Sequence, residues 1–130
     1  MKNKHFIVAS ALMLSLGSFA QKDQIKAAEK ALKNENPTEA LASLGQAESL
    51  LGAATEAEKA QFYFVKGNAH KALAAKKTEV AKNLSSAAQA YQQVMAIEKA
   101  SGKSKYSEDA KNALADSRNQ LINAAIDAGN

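Results

Sequence analysis

The stretch YFVKGNAHKALAA, residues 63–75, sets a glycine in the middle of an otherwise uninterrupted helical pattern. Glycine inside a helix costs about 1 kcal/mol relative to alanine. A helix accepts that loss where its backbone must come close to another element, so Gly67 marks the face of a close helix–helix contact. The rest of the chain suits such contacts. It carries 29 alanines in 130 residues, with aromatics at 5% and a single proline, so its core must form between closely packed helices with short side chains. The expectation is an all-α domain.

Turn signals divide the chain into five helical segments. The first spans residues 23–33, with Ile25, Ala28 and Leu32 at helical spacing. NENPT stops it, Asn36 being a cap and Pro37 a first helical residue whose missing N–H costs nothing. A second helix runs through Ala40, Leu41, Leu44, Ala47, Leu50 and Leu51 to Gly52, at a typical C-terminal glycine position. Thr55 and Glu58 form a capping-box pattern that opens the third, the helix of Gly67. The fourth covers residues 82–99, with Leu84, Ala87, Ala88, Tyr91, Val94, Met95 and Ile97 inward. After SGKSKYS, a fifth spans residues 107–128 on Ala110, Leu114, Leu121, Ala125 and Ala128.

Two spacings recur. Tyr63, Gly67 and His70 on the third segment are followed by Ala87, Tyr91 and Val94 on the fourth. Ala28 on the first is followed by Ala40, Leu44 and Ala47 on the second, Ala40 lying 12 positions after Ala28. These patterns resemble the tetratricopeptide repeat, with an aromatic, a small residue and an aromatic on one helix and alternating small and large positions on the next. The resemblance implies antiparallel helix hairpins stacked as a short solenoid over residues 21–130: a first hairpin at 21–52, a second at 55–100, and an unpaired or capping helix at 107–130. It also implies that the small residue of one helix faces the small residues of its partner. The sequence departs from the family at Lys66, which replaces a leucine, and at His70, which replaces a tyrosine. Gly67 and Ala87 are 20 residues apart, which implies a lengthened connection over AAKKTEVAKN. A helical bundle without repeats is the alternative.

The first 20 residues read as a secretory leader: a basic start in MKNKH, an apolar run from Phe6 to Leu16, and Ser18 and Ala20 as the small residues before a cleavage site. An uncleaved anchor is the alternative. Cleavage would make the protein exported, periplasmic or secreted, with no membrane span left. It takes two of the 17 basic residues and none of the 13 acidic ones, so the mature net charge is small and nucleic acid is not an expected partner. Lys76, Lys77 and Lys82, and Lys99, Lys103 and Lys105, fall near helix ends, where the macrodipole favours them.

Chemistry has little to work with. The chain has no cysteine, which excludes thiolate nucleophiles, disulfides and cysteine-ligated metals. After loss of His5 the one histidine is His70, at a packing position and without carboxylates one turn away, and no nucleophile elbow or phosphate loop is present. No enzyme activity, metal or cofactor is expected. Of Phe62, Tyr63 and Phe64, which point about 100° apart, Tyr63 takes the inward repeat position. Phe64, with Asn68 and Lys71 on the same side, either packs between hairpins or lines a surface for a peptide or partner helix.

The function expected is a non-catalytic scaffold or adaptor of the bacterial cell envelope that binds another envelope protein through a helical surface. The alternative is a structural or self-associating helical protein. Leu121, Ile122, Ala124, Ala125 and Ile126 crowd more apolar surface onto the last helix than a polar-faced cap would show. That pattern favours a continuation of the array beyond Asn130, or self-association through Leu121, Ile122 and Ile126.

Overall fold

The computed structural model describes residues 20–129, which form helices with no strand among them. Helix α1 covers residues 20–33 of that span, α2 is Pro37–Glu48, α3 Glu56–Ala75, α4 Val80–Ser101 and α5 Ser107–Gly129; a single 3-10 turn, Leu51–Ala53, lies between α2 and α3. The leader read over residues 1–20 lies outside the described residues except for Ala20, as does the side chain of Ala128. No described helix is long and apolar enough to cross a membrane.

Local chemistry sets most boundaries. Asn36 Oδ1 accepts the Glu39 N–H at 3.2 Å ahead of Pro37, and Thr55 Oγ1 accepts the Glu58 N–H at 3.2 Å. The capping box is only half made, because Glu58 turns to α1, where it accepts from Gln21 Nε2 at 3.0 Å and lies 3.9 Å from Lys22. Helix α2 stops at Glu48, before Gly52. Leu50 and Leu51 therefore lie off the helix, and Gly52 sits inside the 3-10 turn.

The largest departure from the sequence reading is in the second hairpin. Only residues 76–79 connect α3 to α4, so the long interval between Gly67 and Ala87 is taken up by longer helices, not by a longer loop. Helix α3 has 20 residues and α4 has 22, against 12 in α2. At 1.5 Å per residue they reach about 30 Å, close to twice the length of α2. The chain reverses there without glycine. Lys77 at φ 65° and Glu79 at φ 37° are both left-handed, and Asn83 Nδ2 donates to the Thr78 carbonyl at 2.8 Å to hold the turn.

Consecutive helices pack on one another, α2 on α3, α3 on α4 and α4 on α5. Two clusters of buried side chains result. One joins Ile25, Ala28 and Ala31 of α1, Ala40, Leu44 and Ala47 of α2, and Phe62, Val65 and Ala69 of α3. The other joins Ala87, Tyr91 and Val94 of α4 to Ala110 and Leu114 of α5. Tyr63 of α3 touches both, half-buried, and ties the two halves together. Burial of side chains the size of Leu44 or Phe62 contributes roughly 1.5–3 kcal/mol each.

Gly67 does lie at a close contact, but its neighbour is aromatic rather than small. The Tyr91 ring rests directly over it, 2.6 Å from where a Cβ would stand.

Candidate functional site

The first, third and fifth helices run in the same direction, as their cross-links show. From α1 to α3 the links advance from Gln21–Glu58 to Glu29–Gln61, the latter at 2.7 Å, and on to the carbonyl of Glu35, which accepts from Lys76 Nζ at 2.6 Å. From α3 to the start of α5 they advance from Phe64–Tyr106 to Lys71–Asp116. This common side carries an open cleft of about 360 Å³. Its floor is Leu32, Phe64, Val65 and Tyr106, and its rim is Glu29, Lys33 and Asn68.

Phe64, Asn68 and Lys71 are thus brought to one side of α3, but all three are engaged within the chain. Phe64 stacks on Tyr106 with ring centroids 4.9 Å apart and meets the edge of Tyr91 at 6.2 Å. Asn68 Oδ1 accepts from the Tyr91 hydroxyl at 2.7 Å. Burial, with the Asp116 carboxylate adding to it, pushes the Tyr91 phenol well above its ordinary range, so it stays a neutral donor. With its carbonyl used, Asn68 keeps its amide donors for the cleft. Lys71 belongs instead to a seam with α5. Its Nζ lies 2.7 Å from Asp116 Oδ2, and together with Gln120 Nε2 it holds the Asp116 carboxyl below the usual carboxylate range.

The cleft depends on how α5 is anchored. Glu98, near the end of α4 and only 2% exposed, accepts from the backbone N–H groups of Tyr106 and Ser107 at 2.9 and 2.7 Å and from Ser107 Oγ at 2.6 Å. A carboxylate from the preceding helix thereby satisfies free donors at the α5 N-terminus, where the macrodipole also favours negative charge. Desolvation pushes its pKa upward. The Ser107 hydroxyl and the N–H groups of Tyr106, Ser107 and Lys105 outweigh that and leave the carboxyl below its ordinary value. This anchor fixes Tyr106, whose ring is part of the cleft's floor.

The residues assigned to repeat packing fall as follows. Ala28, Ala40, Leu44, Ala47, Ala87, Tyr91 and Val94 are buried, as is Gly67, while Tyr63 and His70 are half-buried. His70 makes a polar link rather than an apolar one, with Nδ1 2.8 Å from Asn83 Oδ1. Sequence reasoning read Leu32 only as an apolar position of the first helix and missed Tyr106, because their places in the cleft depend on helices far away in the chain; it also missed Ser117, which is buried in α5 with its Oγ unpartnered. Among the described residues no group of three His, Asp or Glu side chains is placed to hold a metal ion. No family model, curated protein or solved structure matches the chain.

Proposed function

We propose that this chain is a non-catalytic interaction module of the tetratricopeptide-like type, exported to the cell envelope, and that it holds a segment of another envelope protein in the cleft formed by α1, α3 and Tyr106, just ahead of α5. The observation that carries this reading is the cleft itself. An apolar floor of two aromatic and two aliphatic side chains is rimmed by Asn68, Lys33 and Glu29, the combination of anchoring surface and orienting polar groups that peptide-binding grooves use. The common direction of α1, α3 and α5, with consecutive helices packed in order, supports a stacked-hairpin architecture. The leader-like residues 1–20 support export.

The test is site-specific photocrosslinking in the cells that make the protein. A photoreactive residue at Lys33 or Asn68 should give a discrete adduct in the envelope fraction, and one at Gln92, exposed on α4, should not. Adducts of equal yield at all three positions, or recovery of the protein in the cytoplasm, would sink the proposal. A self-associating structural role is the second reading. It is favoured by the apolar end of α5, where Ile122 and Ile126 are 59% and 57% exposed.

A further inference from the structure

A second cavity, of about 240 Å³, opens between α3 and α4 away from the cleft. Two antiparallel rows line it: Tyr63, Lys66 and His70 from α3, and Gln93, Gln89 and Ser86 from α4. Each row spans eight residues, about 10 Å of helix.

The tautomer of His70 in this cavity follows from its neighbours. Asn83 is 6% exposed and donates through Nδ2 to the Thr78 carbonyl at 2.8 Å. A carbonyl is an acceptor only, so the amide orientation is fixed, and Asn83 Oδ1 is the atom facing His70 Nδ1 at 2.8 Å. Because Oδ1 can only accept, Nδ1 must carry the hydrogen. In the neutral imidazole Nε2 is then a bare acceptor. A buried asparagine, itself locked by the inter-helix turn, thus holds one tautomer of the ring at the edge of the cavity.

The other lining groups select the kind of ligand. The Tyr63 and Ser86 hydroxyls and the Gln89 and Gln93 amides all both donate and accept. The one charge, on Lys66, is matched by Glu48 at 3.7 Å and also lies over the Phe62 ring at 5.9 Å. An ionic ligand would meet no uncompensated charge. A neutral molecule with many hydroxyl groups would meet partners of both kinds, with the His70 acceptor demanding a donor at one end. The volume falls below the roughly 300–1,000 Å³ of sites for drug-sized ligands, and the part of an occupant held within it is about one sugar ring.

We propose that this cavity binds a neutral, polyhydroxylated ligand of monosaccharide size, with His70 Nε2 accepting one hydroxyl and Tyr63, Ser86, Gln89 and Gln93 exchanging hydrogen bonds with the others. The site is separate from the cleft proposed for a protein partner and does not depend on it.

The test is an NMR titration of the 15N-labelled protein with glucose, galactose, N-acetylglucosamine and myo-inositol, and with glucuronate and glutamate as charged comparators. At least one neutral polyol should give saturable shifts at the Gln89 and Gln93 side-chain amides and at His70 Nε2. Affinity should fall by about tenfold or more, the equivalent of one lost hydrogen bond, in Gln89→Leu/Gln93→Leu, whose positions are exposed and whose melting curve should match the parent. Imidazole 15N spectra at neutral pH should show hydrogen on Nδ1. The proposal fails if no neutral polyol saturates, if a charged comparator binds more tightly, if the double variant binds as well as the parent, or if Nε2 carries the hydrogen.

Discussion

The Tyr91 ring fills the space that any side chain at position 67 would need: a Cβ on Gly67 would lie 2.6 Å from Tyr91 Cε1 and 2.9 Å from Cδ1 and Cζ. The ring has little room to yield, since it is 0% exposed and its hydroxyl is bonded to Asn68. Gly67→Ala should therefore destabilise the protein. Overpacking costs about 1–3 kcal/mol, and the gain of about 1 kcal/mol in helix propensity offsets only part of it. Combining it with Tyr91→Leu should show coupling of about 1 kcal/mol in a double-mutant cycle. Wild-type stability for Gly67→Ala in a denaturant titration would mean that the two helices do not meet in this register.

Acid should loosen the anchor of α5. The folded-state pKa of Glu98 is lowered, so the stabilisation is fully present above the ordinary glutamate range and is lost as pH falls through the folded value. Glu98→Gln, which cannot carry the charge, should cost about 1–3 kcal/mol at neutral pH. It should also flatten the loss of stability on acidification relative to the parent. Urea titrations from neutral pH down through the carboxylate range make the comparison. Parallel pH profiles for the two proteins would show that Glu98 does not titrate differently on folding.

Two helices end on left-handed residues that are not glycine. After α1, the Asn36 and Glu35 N–H groups bond to the Ala31 and Leu32 carbonyls with Glu35 at φ 59°. After α3, Thr78 and Lys77 bond to Leu73 and Ala74 with Lys77 at φ 65°. Both are Schellman caps; at Gly102, which ends α4 at φ 73°, the Gly102 and Lys103 N–H groups both bond to the Glu98 carbonyl. Side chains in this region cost roughly 1–2 kcal/mol per residue, so Glu35→Gly and Lys77→Gly should each raise stability by up to about 1 kcal/mol once glycine's larger unfolded-state entropy is subtracted. The bond from Lys76 to residue 35 survives, because it goes to the backbone carbonyl. A lower melting temperature for both variants would contradict the geometry of the turns.

What the sequence disclosed was local. Asn36 and Thr55 cap where their side chains suggest, and the alternation of small and large residues marks buried faces at Ala40, Leu44 and Ala47 and at Ala87, Tyr91 and Val94. What it concealed depends on partners distant in the chain. AAKKTEVAKN holds no glycine or proline, and the chain turns there at residues 76–79 with the turn held by Asn83. Phe64, Asn68 and Lys71 look like an open face of α3 until α4 supplies the Tyr91 hydroxyl, the approach to α5 supplies Tyr106, and α5 supplies Asp116. The cap of α5 comes from Glu98, a helix away from the donors it satisfies.

The last turns of α5 are flanked on one side only, where Gln120, Asn123, Ala124 and Asp127 share a cleft with Ala74, Ala75, Lys77 and Val80 at the junction of α3 and α4. Leu114 is buried and Leu121 half-buried, but Ile122 and Ile126, one turn apart, stand 59% and 57% exposed. Two exposed isoleucines on one helix face, next to Ala125, form an apolar stripe that favours association with a like surface. Ile122→Glu/Ile126→Lys removes the stripe and places glutamate four residues before lysine, the favourable order for a helical ion pair, with the cation toward the C-terminus. The parent should show an apparent mass that rises with concentration in sedimentation equilibrium. The variant should remain a monomer over the same range, with unfolding stability within about 0.5 kcal/mol of the parent, as expected for surface changes. A parent that stays monomeric throughout, together with a variant that unfolds more readily, would show instead that these isoleucines are covered within the single chain.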